Sequence, residues 1–305
     1  MKVAAIDCGT NTLRLLVASL NPDGTLHEHA RELSFVGLGE GVDATGEFRP
    51  DALQRAFLAC DRYATIIDEQ GCDKVRFVGT SAARDARNRE ELFEGVRQRL
   101  HVEPDLLSGD EEAALSFAGA LSGVVVKAEP VLVMDAGGGS TELVRGDLDG
   151  TIRESRSMDI GSRRIRERFL LSDPPTDTQI SRARAHIRRQ LATSGVDLEA
   201  VRTFIGVAGT VTSLSAIVHK LPQYDRGKVH GSILDREQIE QVTDQLLSMS
   251  VAQVEQLGSA QPERAKVLCA GALIVDEVSQ RVGCTNLIVS ESDILDGIAL
   301  RLLHP

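Results

Sequence analysis

Three glycine-bearing turns hold the residues of this sequence best suited to chemistry. The run Val131-Leu132-Val133-Met134 leads to Asp135, turns through Gly137, Gly138, Gly139 and Ser140, and leaves as Thr141-Glu142-Leu143-Val144. Both apolar runs are short and rich in β-branched residues, so they read as strands. Asp135 then stands at a hairpin tip, beside backbone with no Cβ to keep a ligand away. Free N–H groups in such a turn suit an anion, and a carboxylate at its edge suits a hard cation bridging to that anion. Phosphate with magnesium is the simplest ligand that uses both. The same grammar opens the chain: Val3-Ala4-Ala5-Ile6 leads to Asp7, the turn Cys8-Gly9-Thr10-Asn11-Thr12 follows, and residues 13–20 run out as a strand. A third turn, Gly206-Val207-Ala208-Gly209-Thr210, follows Thr203-Phe204-Ile205 and enters a helical pattern. A helix N-terminus there would point at the ligand. One glycine hairpin is an ordinary tight turn. Two Asp hairpins and a strand-glycine-helix turn in one chain favour a phosphate site.

The elements between these turns must position them. Residues 51–70 carry apolar side chains at helical spacing, with Pro50 at the entry and Gly71 at the exit. Residues 74–79 read as a strand delivering Arg84 and Arg87, followed by a helix over 90–100. Arginines just after a strand end lie where α/β proteins bind ligands, and a solvated helix start accounts for them equally well. A short strand over 102–107 precedes Ser108-Gly109-Asp110-Glu111-Glu112-Ala113, which opens a helix. Ser108 and Glu111 have capping-box spacing, and acids in a first turn suit the helix dipole. The acids are thus expected on structural grounds, and the functional alternative is that Glu112 projects into a cleft as a base. The glycine-rich stretch 36–41 lacks the strand-to-helix setting of a dinucleotide fingerprint and is expected to be a mobile loop. Residues 123–130 read as the crossing into a second domain. A strand over 151–158, a basic helix with Arg163 and Arg164, helices over 176–195 and 262–282, a strand over 286–289 and a last helix over 293–303 follow. This order is βαβ-like throughout, which implies mixed α/β architecture.

At 305 residues the chain exceeds the size at which single cores stop growing, so two domains are expected. No apolar run approaches the roughly 20 residues of a membrane span. Five cysteines without a CxxC pair fit a reduced compartment and carry no metal signature; Cys8 reads as a small buried residue. A cytoplasmic protein with no membrane partner is the expectation. The net charge of -11 argues against nucleic acid, whose affinity comes from clustered Lys and Arg. It leaves a small or linear polyanion open, because a cleft can be locally basic. With no Trp and two Tyr, stacking platforms for bases are scarce.

The paired Asp hairpins and the glycine-helix turn resemble the actin, hexokinase and chaperone ATPase superfamily. Five motifs make the likeness more specific: DCGTNTLRLLV at 7–17, GTSAARDARN at 79–88, SGDEEA at 108–113, DAGGGSTEL at 135–143 and GVAGT at 206–210. In this order they are similar to the exopolyphosphatase/guanosine pentaphosphate phosphohydrolase family. That resemblance implies two duplicated actin-like (ribonuclease H-like) α/β domains, residues 1–122 and 123–305, with a phosphate-binding cleft between them and a final helix free to pack back on the first. It implies a hydrolase that removes the terminal phosphate from inorganic polyphosphate, or the 5′ phosphate from guanosine pentaphosphate, with Mg²⁺ or, in its place, Mn²⁺. By motif position Glu112 would correspond to the catalytic glutamate and Arg84 to the family's TSAxR arginine, a second catalytic residue that would hold phosphate oxygens. Gly9, Thr10, Asn11, Thr12, Gly137, Gly138, Gly139, Ser140, Gly209 and Thr210 would bind substrate phosphates; Asp135, Glu142 and Asp7 would hold metal. A sugar-kinase-type phosphotransferase would need an Asp base that no motif supplies. An idle polyphosphate or nucleotide sensor is countered by intact Glu112, Asp135 and Glu142. The family's C-terminal Leu-Arg-Glu-Gly is Ile294-Leu295-Asp296-Gly297 here, and the chain ends at Pro305 without further helical domains. The expectation is a short, two-domain member, a homodimer, preferring short polyphosphates.

Overall fold

Val3–Cys8 forms the central strand β1 of a five-stranded sheet, and its unbroken apolar character follows from that place: every residue of it is buried. The computed structural model describes residues 1–257, 259 and 261–304. β2 (Thr12–Leu20) and β3 (Leu26–Phe35) continue from β1 as an antiparallel meander. β4 (Lys74–Gly79) and β5 (Asp105–Leu106) add in parallel on the other side, for the order β3-β2-β1-β4-β5. The second sheet comprises β6 (Val131–Ala136), β7 (Thr141–Gly146), β8 (Ile152–Met158), β9 (Thr203–Val207), β10 (Ile233–Asp235) and β11 (Asn286–Val289). Read from its meander side the order is β8-β7-β6-β9-β11, with β10 at the edge. Meander and parallel additions repeat in the same sense, so the duplicated ribonuclease H-like arrangement is present in the topology.

The chain divides into two units, one of residues 1–122 with 293 onward and one of residues 123–292. The last helix, Ile294–Leu303, groups with the first unit, the packing that the expected boundaries left open to it. (Residue 305 itself lies outside the described residues.) Ile294, Leu295, Ile298 and Ala299 are buried with Val3, Ala5 and Leu16 of β1 and β2. Leu295 therefore sits in a core that would penalise an unpaired charge. Helix Gly109–Gly123 meets the last helix through two glycines. A Cβ on Gly119 would fall 1.8 Å from the Asp293 carbonyl oxygen, and one on Gly297 would fall 2.0 Å from that of Leu115. In the second unit, His230 Nε2 donates to the Gly123 carbonyl and Nδ1 accepts from the Glu291 N–H, joining the unit's entry to its exit.

Several local expectations shift. β3 escapes the strand pattern because its edge position leaves most of it solvated. The strand expected over 102–107 shrinks to Asp105–Leu106. The helix expected over 262–282 is a 3-10 turn, Pro262–Arg264, followed by a buried helix, Ala265–Ser279. Residues 36–41 do not form a loose loop. Val36 and Leu38 are core residues, while Val36 and Gly37 N–H donate to the Asn11 carbonyl and Gly39 N–H to that of Thr10. The loop is thereby clamped to the first turn.

Helix Ala265–Ser279 also buries Glu277, whose side chain is 1% exposed. Burial pushes that carboxyl upward, but hydrogen bonds from Arg188, Arg184 and Arg281 together outweigh it and hold it below its ordinary 4.5. A carboxylate depressed on folding contributes stability above its unfolded pKa and loses it as pH falls through the folded value. Glu277→Gln is therefore expected to cost roughly 3 kcal/mol at pH 7, the low end for a broken buried pair because the arginines reach solvent. The gap to wild type should close below the ordinary carboxylate range. Urea unfolding midpoints across an acid series measure it; a gap independent of pH contradicts the ionised network.

Candidate active site

In the first unit, β4 ends at Gly79 and helix Ser81–Asp85 follows, with Arg84 in its last turn. Arg84 Nη1 donates to the Leu107 carbonyl at 3.0 Å and to Glu112 Oε2 at 2.6 Å. The structure thus brings together the two residues expected to be catalytic. Glu112 lies in the first turn of helix Gly109–Gly123 and is 8% exposed. Its neighbour does the capping: Glu111 Oε2 accepts from Ser108 N–H at 3.0 Å and from Ser108 Oγ at 2.9 Å, while Glu111 N–H donates to Ser108 Oγ at 3.2 Å. The capping bonds thus belong to Glu111, while Glu112 turns to Arg84. Arg87 parts company with Arg84 and pairs with Glu47 and the Thr45 carbonyl at the surface.

Asp7 stands opposite Arg14 in the β1–β2 register, with Arg14 Nη2 to Asp7 Oδ2 at 2.6 Å. The other amino group of Arg14 bonds Asp293, which caps the last helix. Burial raises the Asp7 carboxyl more than Arg14 lowers it. Its Oδ1 is buried without a hydrogen-bond partner. Such an atom carries a desolvation cost that a donor or cation relieves. The adjoining turn is closed by Gly9 N–H to the Thr12 carbonyl, and Thr10 and Thr12 are buried beside Asn11.

In the second unit, Asp135 stands opposite Glu142 in the β6–β7 register. Both are buried, and Ser157 Oγ donates to Glu142 Oε1 at 2.7 Å. The two hairpins differ at this position. The first matches its aspartate with a guanidinium and the second matches it with another carboxylate. Like charges directly opposite across an antiparallel pair are destabilising, so the second hairpin has use for a cation. Among the described residues no three His, Cys, Asp or Glu side chains form a metal cage. Mg²⁺ needs none, since it takes one or two carboxylates and completes its shell with water and phosphate.

The Gly137–Ser140 turn has its carbonyls committed. Ser162 N–H donates to Gly137, Arg163 N–H to Gly138 and Gly161 N–H to Gly139. Arg164 Nε adds a 2.8 Å bond to the Gly139 carbonyl. Among the described residues, the N–H groups of Gly138, Gly139 and Ser140 meet no backbone carbonyl, which leaves a concavity of donors suited to phosphate oxygens. Arg164, on the expected basic helix, is 8% exposed and braces the turn from behind; Arg163 pairs with Glu167 at 3.5 Å. A Cβ on Gly161 would lie 2.2 Å from the Gly138 oxygen. Gly161→Ala is expected to cost about 1–3 kcal/mol, as overpacking does, and to depress turnover more than the stability loss explains. Thermal unfolding beside kcat checks both; unchanged turnover separates the turn from the chemistry.

The third turn is where β9 meets helix Ala208–Val218, whose N-cap, Val207, makes no side-chain capping bond. Gly209 and Thr210 occupy its first turn, and Ala208 holds a positive φ of 69°. Gly209 gives room to the Arg264 guanidinium: a Cβ there would lie 1.8 Å from Nη1 unless the arginine shifted. Arg264 Nε is anchored to Gln261 Oε1 at 2.8 Å. A cation against the positive end of a helix dipole is unfavourable by itself, and an anion bound there reverses the sign. Arg264 is the residue that sequence reading missed, because its partner turn is remote in the chain and no local pattern marks it.

The chain is 42% identical over 315 residues to a protein of Mycobacterium tuberculosis named exopolyphosphatase 2, covering 99% of this chain and 98% of that protein. It is 26% identical to exopolyphosphatase 1 of the same organism, over 99% of this chain and 88% of that one. Among solved structures, the Ppx/GppA family member of Aquifex aeolicus superposes with a TM-score of 0.85 at 29% identity, covering 100% of this chain and 98% of that one. An exopolyphosphatase from Cytophaga hutchinsonii superposes with a TM-score of 0.91 at 25% identity, again over 100% and 98% of the two chains. The family model matches residues 17–305, so the chain belongs to the Ppx/GppA phosphatase family.

Proposed function

We propose that this protein is an exopolyphosphatase, releasing terminal orthophosphate from inorganic polyphosphate by attack of water. The observation that carries the reading is the 2.6 Å bond from Arg84 to Glu112, in a chain akin over its whole length to a protein named exopolyphosphatase. Glu112, aimed by Arg84, orients the water and takes its proton as the bond to phosphorus forms. The remaining N–H groups of Arg84 face equatorial oxygens of the terminal phosphate, where a planar fork is the better match than a point charge. In the second unit, the N–H groups of Gly138, Gly139 and Ser140, and the Gly209–Thr210 helix start with Arg264, are suited to phosphate oxygens. The shortened polyphosphate leaves carrying the bridging oxygen. Phosphoanhydride cleavage is mostly positioning and charge neutralisation, and these groups supply both. In the second unit Asp135 with Glu142 would hold Mg²⁺, or Mn²⁺ in its place, and in the first unit Asp7 offers its unpartnered Oδ1 to a cation; a bound cation would screen phosphate charge from the carboxylates.

The scarcity of aromatic residues gives no support to a nucleobase pocket, so guanosine pentaphosphate is not the favoured substrate. The net charge of -11 supports a preference for short chains, since phosphates beyond the site meet net repulsion. The test is phosphate release with Mg²⁺ from short polyphosphate, long polyphosphate, guanosine pentaphosphate and ATP in parallel at fixed ionic strength. The expected order of kcat/KM places short polyphosphate first. A higher value for guanosine pentaphosphate overturns the substrate reading, and a steady rise with chain length overturns the length preference.

A further inference from the structure

The second unit holds a cavity of about 470 Å³ lined by Arg184, Arg188, Glu240, Asp276, Glu277, Gln280 and Arg281. None of these residues belongs to the three glycine turns or to the Asp135 hairpin. Arg184 and Arg188 sit one turn apart on helix Asp177–Ala192, and Asp276 and Glu277 end the helix Ala265–Ser279. The two acids form the floor, with side chains 3% and 1% exposed. Both are fully engaged. Glu277 Oε1 accepts from Arg184 Nη1 at 2.8 Å and Arg188 Nη2 at 3.0 Å, and Oε2 from Arg188 Nε at 2.9 Å and Arg281 Nη1 at 2.8 Å. Asp276 accepts from Arg184 Nη1 at 2.6 Å and from Gln280 Nε2 at 3.2 Å.

The charge is therefore layered. Carboxylates lie beneath and guanidiniums lie above, the Arg188 side chain 56% exposed and that of Arg281 34% exposed. Each arginine is held by one edge and offers another: Arg188 Nη1 and Arg281 Nη2 meet no protein acceptor among the described residues. Anchoring from behind removes much of the entropy cost of fixing long side chains, so a ligand gains preorganised, charge-assisted donors. No aromatic or aliphatic side chain lines the cavity, which leaves a nucleobase or acyl chain nothing to pack against. Glu240 on the rim is exposed, bonds none of the arginines, and opposes an anion.

We propose that this cavity is a second oxyanion site, taking a small, wholly hydrophilic anion of the inorganic phosphate class, orthophosphate or pyrophosphate, on the outward edges of Arg188 and Arg281. It rests on geometry distinct from the proposed active site, and binding can be read without turnover, so its failure and that of the exopolyphosphatase reading are separable.

The experiment is calorimetric titration of the full chain with pyrophosphate in the absence of divalent cations. Arg188→Ala with Arg281→Ala should weaken the site at least tenfold and leave the initial rate of phosphate release unchanged. Arg84→Ala, altered at the proposed active site, should retain it. Glu240→Gln should tighten it, a change of sign that a purely structural ion network would not produce. Should the double variant fold poorly, Arg188→Ala alone removes the more exposed donor and should still weaken binding. Isotherms that are the same in wild type and the arginine variants, or unmoved by Glu240→Gln, overturn the proposal.

Discussion

Glu112→Gln should lower the rate of phosphate release by roughly 10²–10⁴-fold, the range that positioned general-base catalysis contributes. The substitution keeps the shape of the side chain and an acceptor toward Arg84 Nη1, 2.6 Å away, while removing the group that takes a proton. Helix Gly109–Gly123 should be undisturbed, because its start is capped by the bonds between Glu111 and Ser108. Circular dichroism and equilibrium binding of polyphosphate should match wild type, with the loss confined to kcat. Glu111→Gln makes the same chemical change one residue away. It touches only the cap, so it should cost no more than about 1 kcal/mol of stability and leave turnover near normal. Two variants with similar kcat, both near wild type, would move the base elsewhere.

Excess chelator should abolish phosphate release, and Asp135→Asn should raise the Mg²⁺ concentration for half-maximal rate at least about tenfold, the lower range of losses around metal sites. The expectation follows from the cross-strand register. Asp135 and Glu142 oppose each other on one face of β6 and β7, both buried, at the place where the first hairpin sets Arg14 opposite Asp7. Changing one acid to its amide halves the local charge that attracts the cation and also relieves the like-charge repulsion. Asp135→Asn should therefore be no less stable than wild type in the absence of metal while being much poorer at using it. Stability and metal requirement moving in opposite directions is the signature. Full wild-type activity in excess chelator removes the metal from the mechanism.

Much of this molecule is legible in its sequence. The short apolar strands, the acids at their ends and the glycine turns are local patterns, and local patterns report backbone conformation directly. They imply the duplicated α/β sheets, and the motif order around Glu112, Asp135 and Gly209 marks the site. What remained required the third dimension. Capping-box spacing marks Glu111 as a cap, but no pattern in residues 108–113 says that Glu112 pairs with Arg84, because that depends on which way Arg84 reaches from another strand end. The same is true of Arg264 on Gly209, of Arg164 turned behind the glycine turn, and of Arg184, Arg188 and Arg281 gathered on Glu277. A charged side chain is long and flexible, and its partner is chosen by packing across elements distant in the chain, so spacing carries no record of the choice. The last helix shows the division most plainly. Its apolar periodicity announces that Ile294, Leu295 and Ile298 are buried. Only the folded chain decides that β1 and β2, at the other end of the sequence, bury them.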